Sequence, residues 1–355
     1  LQNFHHPQVK PYLITKCLNP ENQETPIHFL RNDIVDKKYF YRRNHFSYPH
    51  FTSSFYLLPI DGLVHTPRKF SLQEIYSMPS KTIKVVLECS GDKRELFEPK
   101  VYGEQWGSGA ISQGIWKGIS LRTLLQYTGL IDPAKEIVFE GYDNGQRPDS
   151  NQIFNFSRSL PIEKALEPDT IIAYEYNHKP IPFKHGFPLR LIVPGWYAMA
   201  SVKWLKKITV IDNEFNGPFQ TVDYIYYPNN DSDRGKFPVT TINVNSTIQY
   251  PLNMQLLHPG TYKINGIAWT GKGMLTKVEI SLDDGQTWDT CQLSSTSEKY
   301  TWCSWSYNWE APKKGEYIIK SKATDSYGNV QPVNPLWNRK GYGYNAIDRI
   351  KVKVD

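Results

Sequence analysis

Three short stretches of this chain hold residue types that could do chemistry together. Cys89 closes an apolar run, Ile83 to Leu87, and opens the turn Cys89-Ser90-Gly91-Asp92, with Lys93 and Arg94 directly after it. A cysteine so placed is either a soft metal ligand or nucleophile, or a small buried hydrophobe. The two cations within five residues favour the thiolate. Arg43-Asn44-His45 lies inside the aromatic run Tyr39 to Phe46 and joins a fixed cation, an amide and an imidazole. That set either grips an anion or a polar cofactor edge, or forms a solvated basic turn. The third stretch, His185 to Trp196, sets a strand between two Gly/Pro breaks, with His185 and Arg190 at its entry and Ser201-Val202-Lys203 following. If Arg190, Ser201 and Lys203 return to one region they make a phosphate cradle; if not, they are scattered charges on an exposed edge.

Composition removes several alternatives. The chain has 355 residues, which predicts two or three domains, and 41 basic against 35 acidic side chains leave a net charge of +6. That surplus suits nucleic acid, an acidic membrane surface or a small anion. The basic residues are dispersed among acidic ones rather than striped between exposed aromatics, so nucleic acid is not expected. No segment approaches the roughly 18 apolar residues of a membrane span. There is no G-x-x-x-x-G-K-[ST], no strand-linked G-x-G-x-x-G and no usable G-x-S-x-G, so nucleotide-binding loops and serine-hydrolase elbows are not expected. The 4 cysteines form no Cys-x-x-Cys pair, which argues against zinc ribbons and attached c-type haem. A disulfide framework is not expected, although a single Cys291–Cys303 bridge stays open. The first residue is Leu1, which leaves room for a leader or tag ahead of it.

The elements that must position these groups are short. The first fifty residues have little periodicity and predict an ordered arm. Ser71-x-x-Glu74 is a capping-box pattern for a brief helix stopped by Pro79. Ile83 to Leu87, Ile137 to Phe139 and Ile171 to Tyr176 predict buried strands. Ser120 is placed to cap a helix bearing Leu121, Leu124 and Leu125, and a further short helix is expected over Pro161 to Leu166. Residues 213–239, rich in Asn, Asp, Gly, Pro and Tyr, read as a connector. Beyond about residue 240 the pattern is all-β. Val278, Ile280 and Leu282 alternate with polar residues, as do Ile350, Val352 and Val354, and Asp284-Gly285 supplies a turn. That is the spacing of a β-sandwich of immunoglobulin size.

Taken in order, the motifs resemble the sulfite oxidase family of molybdenum enzymes over nearly the whole chain. The likeness rests on Arg-Asn-His at 43–45, Cys-Ser-Gly at 89–91, Gly109-Ala110-Ile111-Ser112 with Trp116, Phe139-Glu140-Gly141-Tyr142-Asp143, the 185–205 stretch, Gly266-x-Ala268-Trp269, Asp325-Ser326-x-Gly328-Asn329-x-Gln331-Pro332 and Trp337-Asn338. The resemblance implies an α+β molybdopterin domain over residues 1–212, a connecting segment over 213–239, and an all-β immunoglobulin-like dimerisation domain over 240–355. It implies a molybdenum–molybdopterin cofactor with Cys89 as the protein's metal ligand. Tyr41, Asn44, His45, Asp143, His185, Arg190, Ser201 and Lys203 would hold the pterin, the last three taking its phosphate. Arg43, Arg94, Trp106, Tyr224 and Lys340 would form the pocket for a small oxyanion substrate.

The implied reaction is oxidation of sulfite to sulfate by oxygen-atom transfer. No haem-binding module is visible in these residues, so electrons are expected to pass to a separate acceptor such as a cytochrome or oxygen. A soluble homodimer is expected, in the cytoplasm or an extracytoplasmic compartment. The alternatives are a nitrate-type or sulfoxide oxidoreductase on the same scaffold, or a cofactor-free binding protein. Asp92 stands where the family usually has Asn, and Lys340 where animal and plant members have a third arginine. Tyr226 and Tyr227 compete with Tyr224 for its role.

Overall fold

A computed structural model describes residues 13–294, 298–311 and 313–355. The part of the chain before residue 212 holds two sheets of five strands. One is antiparallel and runs Lys179–Pro180, Ile171–Tyr176, Ile111–Ser120, Ser80–Glu88, with Arg190–Ile192 also paired to Ile171–Tyr176. The other runs Arg68–Ser71, Leu57–Gly62, Leu205–Ile211, Glu136–Gln146, Ile153–Pro161. Its one parallel pair joins Leu57–Gly62 to Leu205–Ile211, so the second strand must return across the whole domain.

The helices are one to two turns long, as expected from their short apolar runs. Leu72–Ser77 starts with a complete capping box between Ser71 and Glu74. The expected helix over 161–166 is Ile162–Ala165. Leu121–Gln126 forms with Leu121, Leu124 and Leu125 buried, but Ser120 makes no side-chain cap. The amide of Leu121 is instead satisfied by the carbonyl of Thr170 at 2.9 Å, so a neighbouring loop does the capping. The N-terminal arm contains a small ribbon, Ile14–Cys17 paired with Asn22–Glu24.

From Asn245 onward the chain is a two-sheet sandwich. Four strands, led by Asn245–Tyr250, Gly260–Trp269 and Cys303–Ala311, face five led by Asp348–Val354, Gly315–Asp325 and Leu275–Ser281. Val278, Ile280, Ile350, Val352 and Val354 all enter the core between them, as the alternation requires. Cys291 and Cys303 line that core, and no disulfide joins them. The connector is not an idle linker. It carries the turn Pro218–Thr221, which buries Phe219, and the pair Ile225–Tyr226 with Phe237–Pro238. Among the described residues no helix is long and apolar enough to cross a membrane.

Candidate active site

Strand alternation places the cysteine. Along Ser80–Glu88, Val85 and Leu87 enter a cluster with Phe40, Tyr41 and Trp116, while Val86 enters the main core on the other face. Cys89 continues the odd-numbered face into the same cluster. Its amide donates to Ala110 O at 2.8 Å, and the amide of Gly91 donates to its sulfur at 3.4 Å. Gly91 is needed because a Cβ there would lie 2.6 Å from the Arg94 guanidinium.

The same logic places Asp143. Ile137 and Phe139 point into the core from Glu136–Gln146, and Gly141 and Asp143 follow on their side. A Cβ at Gly141 would stand 2.5 Å from Asp143 Oδ1 and 2.9 Å from the carbonyl of Lys203, so glycine lets the 203 segment approach.

The third stretch folds back on itself. Arg190 donates from Nε to Ser201 O at 3.3 Å and from Nη1 to His185 O at 3.0 Å. Ser201 Oγ accepts from the amide of Val193 at 3.0 Å, which leaves its hydroxyl hydrogen to donate elsewhere. Lys203 Nζ donates to Arg43 O at 3.0 Å and to Asn44 Oδ1.

These segments meet around one cavity of about 640 Å³, counting its open mouth. Every cofactor-holding candidate lines it, as do Arg43 and Tyr224. Asn44 is committed to protein contacts, since its amide also donates to Glu21 O at 2.7 Å. It therefore orients Lys203. Arg94, Trp106 and Lys340 do not line the cavity. Trp106 is fully buried behind Cys89, with no partner for its indole nitrogen. Arg94 is buried in the wall, donating from Nε to Lys340 O and Gly341 O, both at 3.1 Å. Lys340 Nζ lies 3.3 Å from Asp223 Oδ1, and Asp223 also takes Arg147. Tyr226 and Tyr227 are also off the cavity; the phenol of Tyr227 donates to Val222 O at 3.2 Å.

Electrostatics refine the roles. Burial pushes the Cys89 thiol up, although Arg43 and Arg94 pull the other way. Lys93, the other cation expected to help, is turned toward the sandwich and plays no part. The Lys203–Asp143 pair is buried, which lowers the lysine and raises the carboxyl. His45 is stacked on Phe156 at 5.1 Å and packed against Phe219 at 4.7 Å. Burial and the nearby Arg43 hold its pKa well below the ordinary range, so the ring is neutral. Arg43 Nη2 lies 3.3 Å from Nδ1 and 3.5 Å from Nε2, and Nε2 lies 2.5 Å from Tyr224 Oη, so the imidazole stands between the guanidinium and the phenol.

His185, stacked on Phe40 at 4.2 Å, is likewise held neutral by burial and by Arg190. Below about pH 6.5 its unfolded imidazole takes up a proton that the folded one refuses, so this histidine costs stability as pH falls. The stability advantage of wild type over His185→Asn should therefore shrink on acidification, by up to about 1.4 kcal/mol per pH unit. Denaturant unfolding of both proteins at pH 8, 6 and 5 measures this. A constant difference would mean the ring is not held neutral.

The donor set fits the cofactor implied by the sequence. On the cavity lining Cys89 offers soft sulfur, and Arg190, Ser201 and Lys203 offer oxyanion donors. There too Asp143 Oδ1 is buried without a partner, and such an atom needs an N–H or O–H from whatever fills the cavity. Sequence reasoning missed Phe156, Phe219, Arg147 and Asp223. The first was findable, since Phe154 and Phe156 alternate with Asn155 and Ser157 along Ile153–Pro161.

Comparison with known proteins agrees with this geometry. Residues 45–219 match the family described as oxidoreductase molybdopterin binding domain, and residues 236–355 match the Mo-co oxidoreductase dimerisation domain. Mitochondrial sulfite oxidase of Macaca fascicularis is 32% identical over 365 residues, covering 97% of this chain and 66% of that protein. Nitrate reductase [NADH] 1 of Phaseolus vulgaris is 30% identical over 367 residues, covering 95% of this chain and 42% of that protein. The crystal structure of the sulfane dehydrogenase SoxCD from Paracoccus pantotrophus superposes with a TM-score of 0.84 at 25% identity, covering 99% of this chain and 92% of that one. The chain thus spans just under two thirds of the length of the sulfite oxidase it matches.

Proposed function

Because this chain belongs to the sulfite oxidase family of molybdenum-cofactor oxidoreductases, we propose that it oxidises sulfite to sulfate and passes the electrons to a separate acceptor. The balanced change is sulfite plus water to sulfate, two protons and two electrons. One observation carries the reading. Soft sulfur, a carboxyl with one unpartnered oxygen and an oxyanion cradle line one cavity, together with Arg43 and Tyr224.

In this reading Cys89 holds the metal as its thiolate, and Arg190, Ser201 and Lys203 hold the pterin phosphate. Tyr41, Asp143 and His185 bound the pterin itself, and Asn44 keeps Lys203 aimed at the phosphate. When bound, the cofactor supplies the two-electron, oxygen-atom-transfer chemistry. The protein's own part is to bind and orient the anion. Arg43 supplies the fixed charge and Tyr224 donates its hydroxyl hydrogen, with His45 holding that phenol in place. Arg94 acts from within the wall by fixing the 340–341 backbone. Trp106 closes the site from behind. Lys340 reaches the anion only by leaving Asp223.

The division of the chain at 1–212, 213–239 and 240–355, and assembly as a homodimer through the last part, belong to the same proposal. A nitrate-type activity is the second reading. It is favoured by Asp223, which takes up the charge of Lys340 and Arg147 and leaves a pocket better matched to a monoanion. A steady-state comparison of sulfite, nitrate and methionine sulfoxide with an artificial electron carrier separates the two. Sulfite should exceed the others in kcat/KM by at least about tenfold, a difference of about 1.4 kcal/mol in barrier. Faster turnover of nitrate would replace the first reading by the second.

A further inference from the structure

The turn that carries Cys89 is braced from outside its own domain along its whole length. Before the cysteine, Glu88 accepts from Trp269 Nε1 at 2.8 Å. Within the turn, the carbonyl of Ser90 accepts from the amide of Gly343 at 2.7 Å. After it, Lys93 Nζ donates to Asn245 Oδ1 at 3.0 Å and to Ser246 O at 2.8 Å, and lies 3.6 Å from Asp348 Oδ1. Asn245 and Asp348 begin strands of the two different sheets of the sandwich, so one ammonium ties the turn to both.

The anchors are themselves held. Asn245 Nδ2 donates to Tyr344 O at 3.0 Å, and Asp348 Oδ2 accepts from the amide of Ile248 at 2.8 Å. Lys93 is completely buried, and a buried ammonium is costly unless its hydrogen bonds are made. Its backbone is left-handed at φ 60°, a conformation a lysine keeps only where its surroundings impose it. Neither Glu88, Lys93 nor Trp269 lines the cavity, so none of them is there to touch substrate or cofactor.

We propose that the sandwich domain is a working part of the active site, with Lys93 and Trp269 as positioning residues that hold the Cys89 turn in register for metal ligation. The inference rests on Cys89 being the sulfur ligand, as proposed above. It assigns to the C-terminal domain a task at the metal in addition to assembly. The side-chain ammonium nearest in sequence to the thiol therefore acts through the backbone rather than through its charge.

The test uses the full-length chain, loaded with cofactor and freed of it, as Lys93→Met and Trp269→Phe. The second keeps an aromatic ring, though a smaller one, and removes the N–H to Glu88, so it carries the test if the first does not fold. In cofactor-free protein, alkylation of Cys89 by iodoacetamide, followed on its own peptide by mass spectrometry, should quicken by about tenfold as the turn opens locally. In loaded protein the molybdenum electron-spin signal should shift, and kcat should fall more than KM changes. Folded variants that alkylate Cys89 within about twofold of wild type and keep its spin signal would overturn the proposal. Cys89→Ser is run beside them. Retained molybdenum with an unchanged spin signal in that variant would remove the ligand reading, and the alkylation rates would still report on the positioning.

Discussion

Cys89→Ser is expected to lower sulfite turnover by at least about a thousandfold while leaving the fold in place. A serine oxygen is harder than sulfur and stays protonated near neutral pH, so it is a poor ligand for a metal that favours soft donors. The thiol is buried and its pKa is raised, with Arg43 and Arg94 drawing it back down. A bound metal would complete that deprotonation and release a proton on binding. The structural change is small by comparison. Cys89 is 7% exposed, and its sulfur takes one weak bond from Gly91, which a hydroxyl can also accept. Steady-state kinetics and a thermal melt on the same preparation check both halves. Turnover within tenfold of wild type would end the assignment of Cys89 to the metal.

Arg43→Gln carries the second large effect. It should lower kcat/KM for sulfite by about a hundred- to a thousandfold, the range seen when an oriented donor to a developing charge is lost. Two contributions combine here. Arg43 is the cation of the predicted substrate set that faces the cavity, and its guanidinium also lies against both ring nitrogens of His45, which in turn touches Tyr224. Without it the His45 ring loses that neighbour, and with it part of the support of the Tyr224 phenol. Arg43→Lys keeps the charge but loses the planar fork, so an intermediate loss is expected. Lys340→Ala is the internal contrast. Its side chain is 35% exposed and its ammonium already paired with Asp223, so its loss should cost much less. Equal losses at positions 43 and 340 would mean that the anion sits at the mouth rather than beside Cys89.

Much of this site was legible because strand alternation is a local signal. Val85, Leu87 and Cys89 share a face, and so do Ile137, Phe139 and Asp143, so a period of two puts a thiol and a carboxyl where they are found. The sandwich was legible for the same reason in Ile350, Val352 and Val354. What could not be read depends on where distant segments meet. Phe219 and Tyr224 sit in a stretch with no periodicity that resembles a linker, yet both are buried against His45. Lys93 is close to Cys89 along the chain, and only the left-handed turn at its own α-carbon shows that its side chain leaves in another direction. Trp106 was expected to face substrate, but the cluster around Cys89 had room for its ring only inside the wall.

The walls of the cavity also have a consequence in time. They are drawn from residues 40–45, 89–90, 143, 156, 184–203 and 224, and the brace on the cysteine turn reaches Asp348. The lining is complete only once residue 224 has been made and the brace only once Asp348 has, and pairings so far apart in sequence are slow to form. Synthesis must reach Asp348 before the turn that carries the thiol has its brace, although every residue of the phosphate cradle has by then been made. The cysteine turn is thus the last part of the pocket to be fixed, and the C-terminal strands that fix it are made after every residue that lines the cavity.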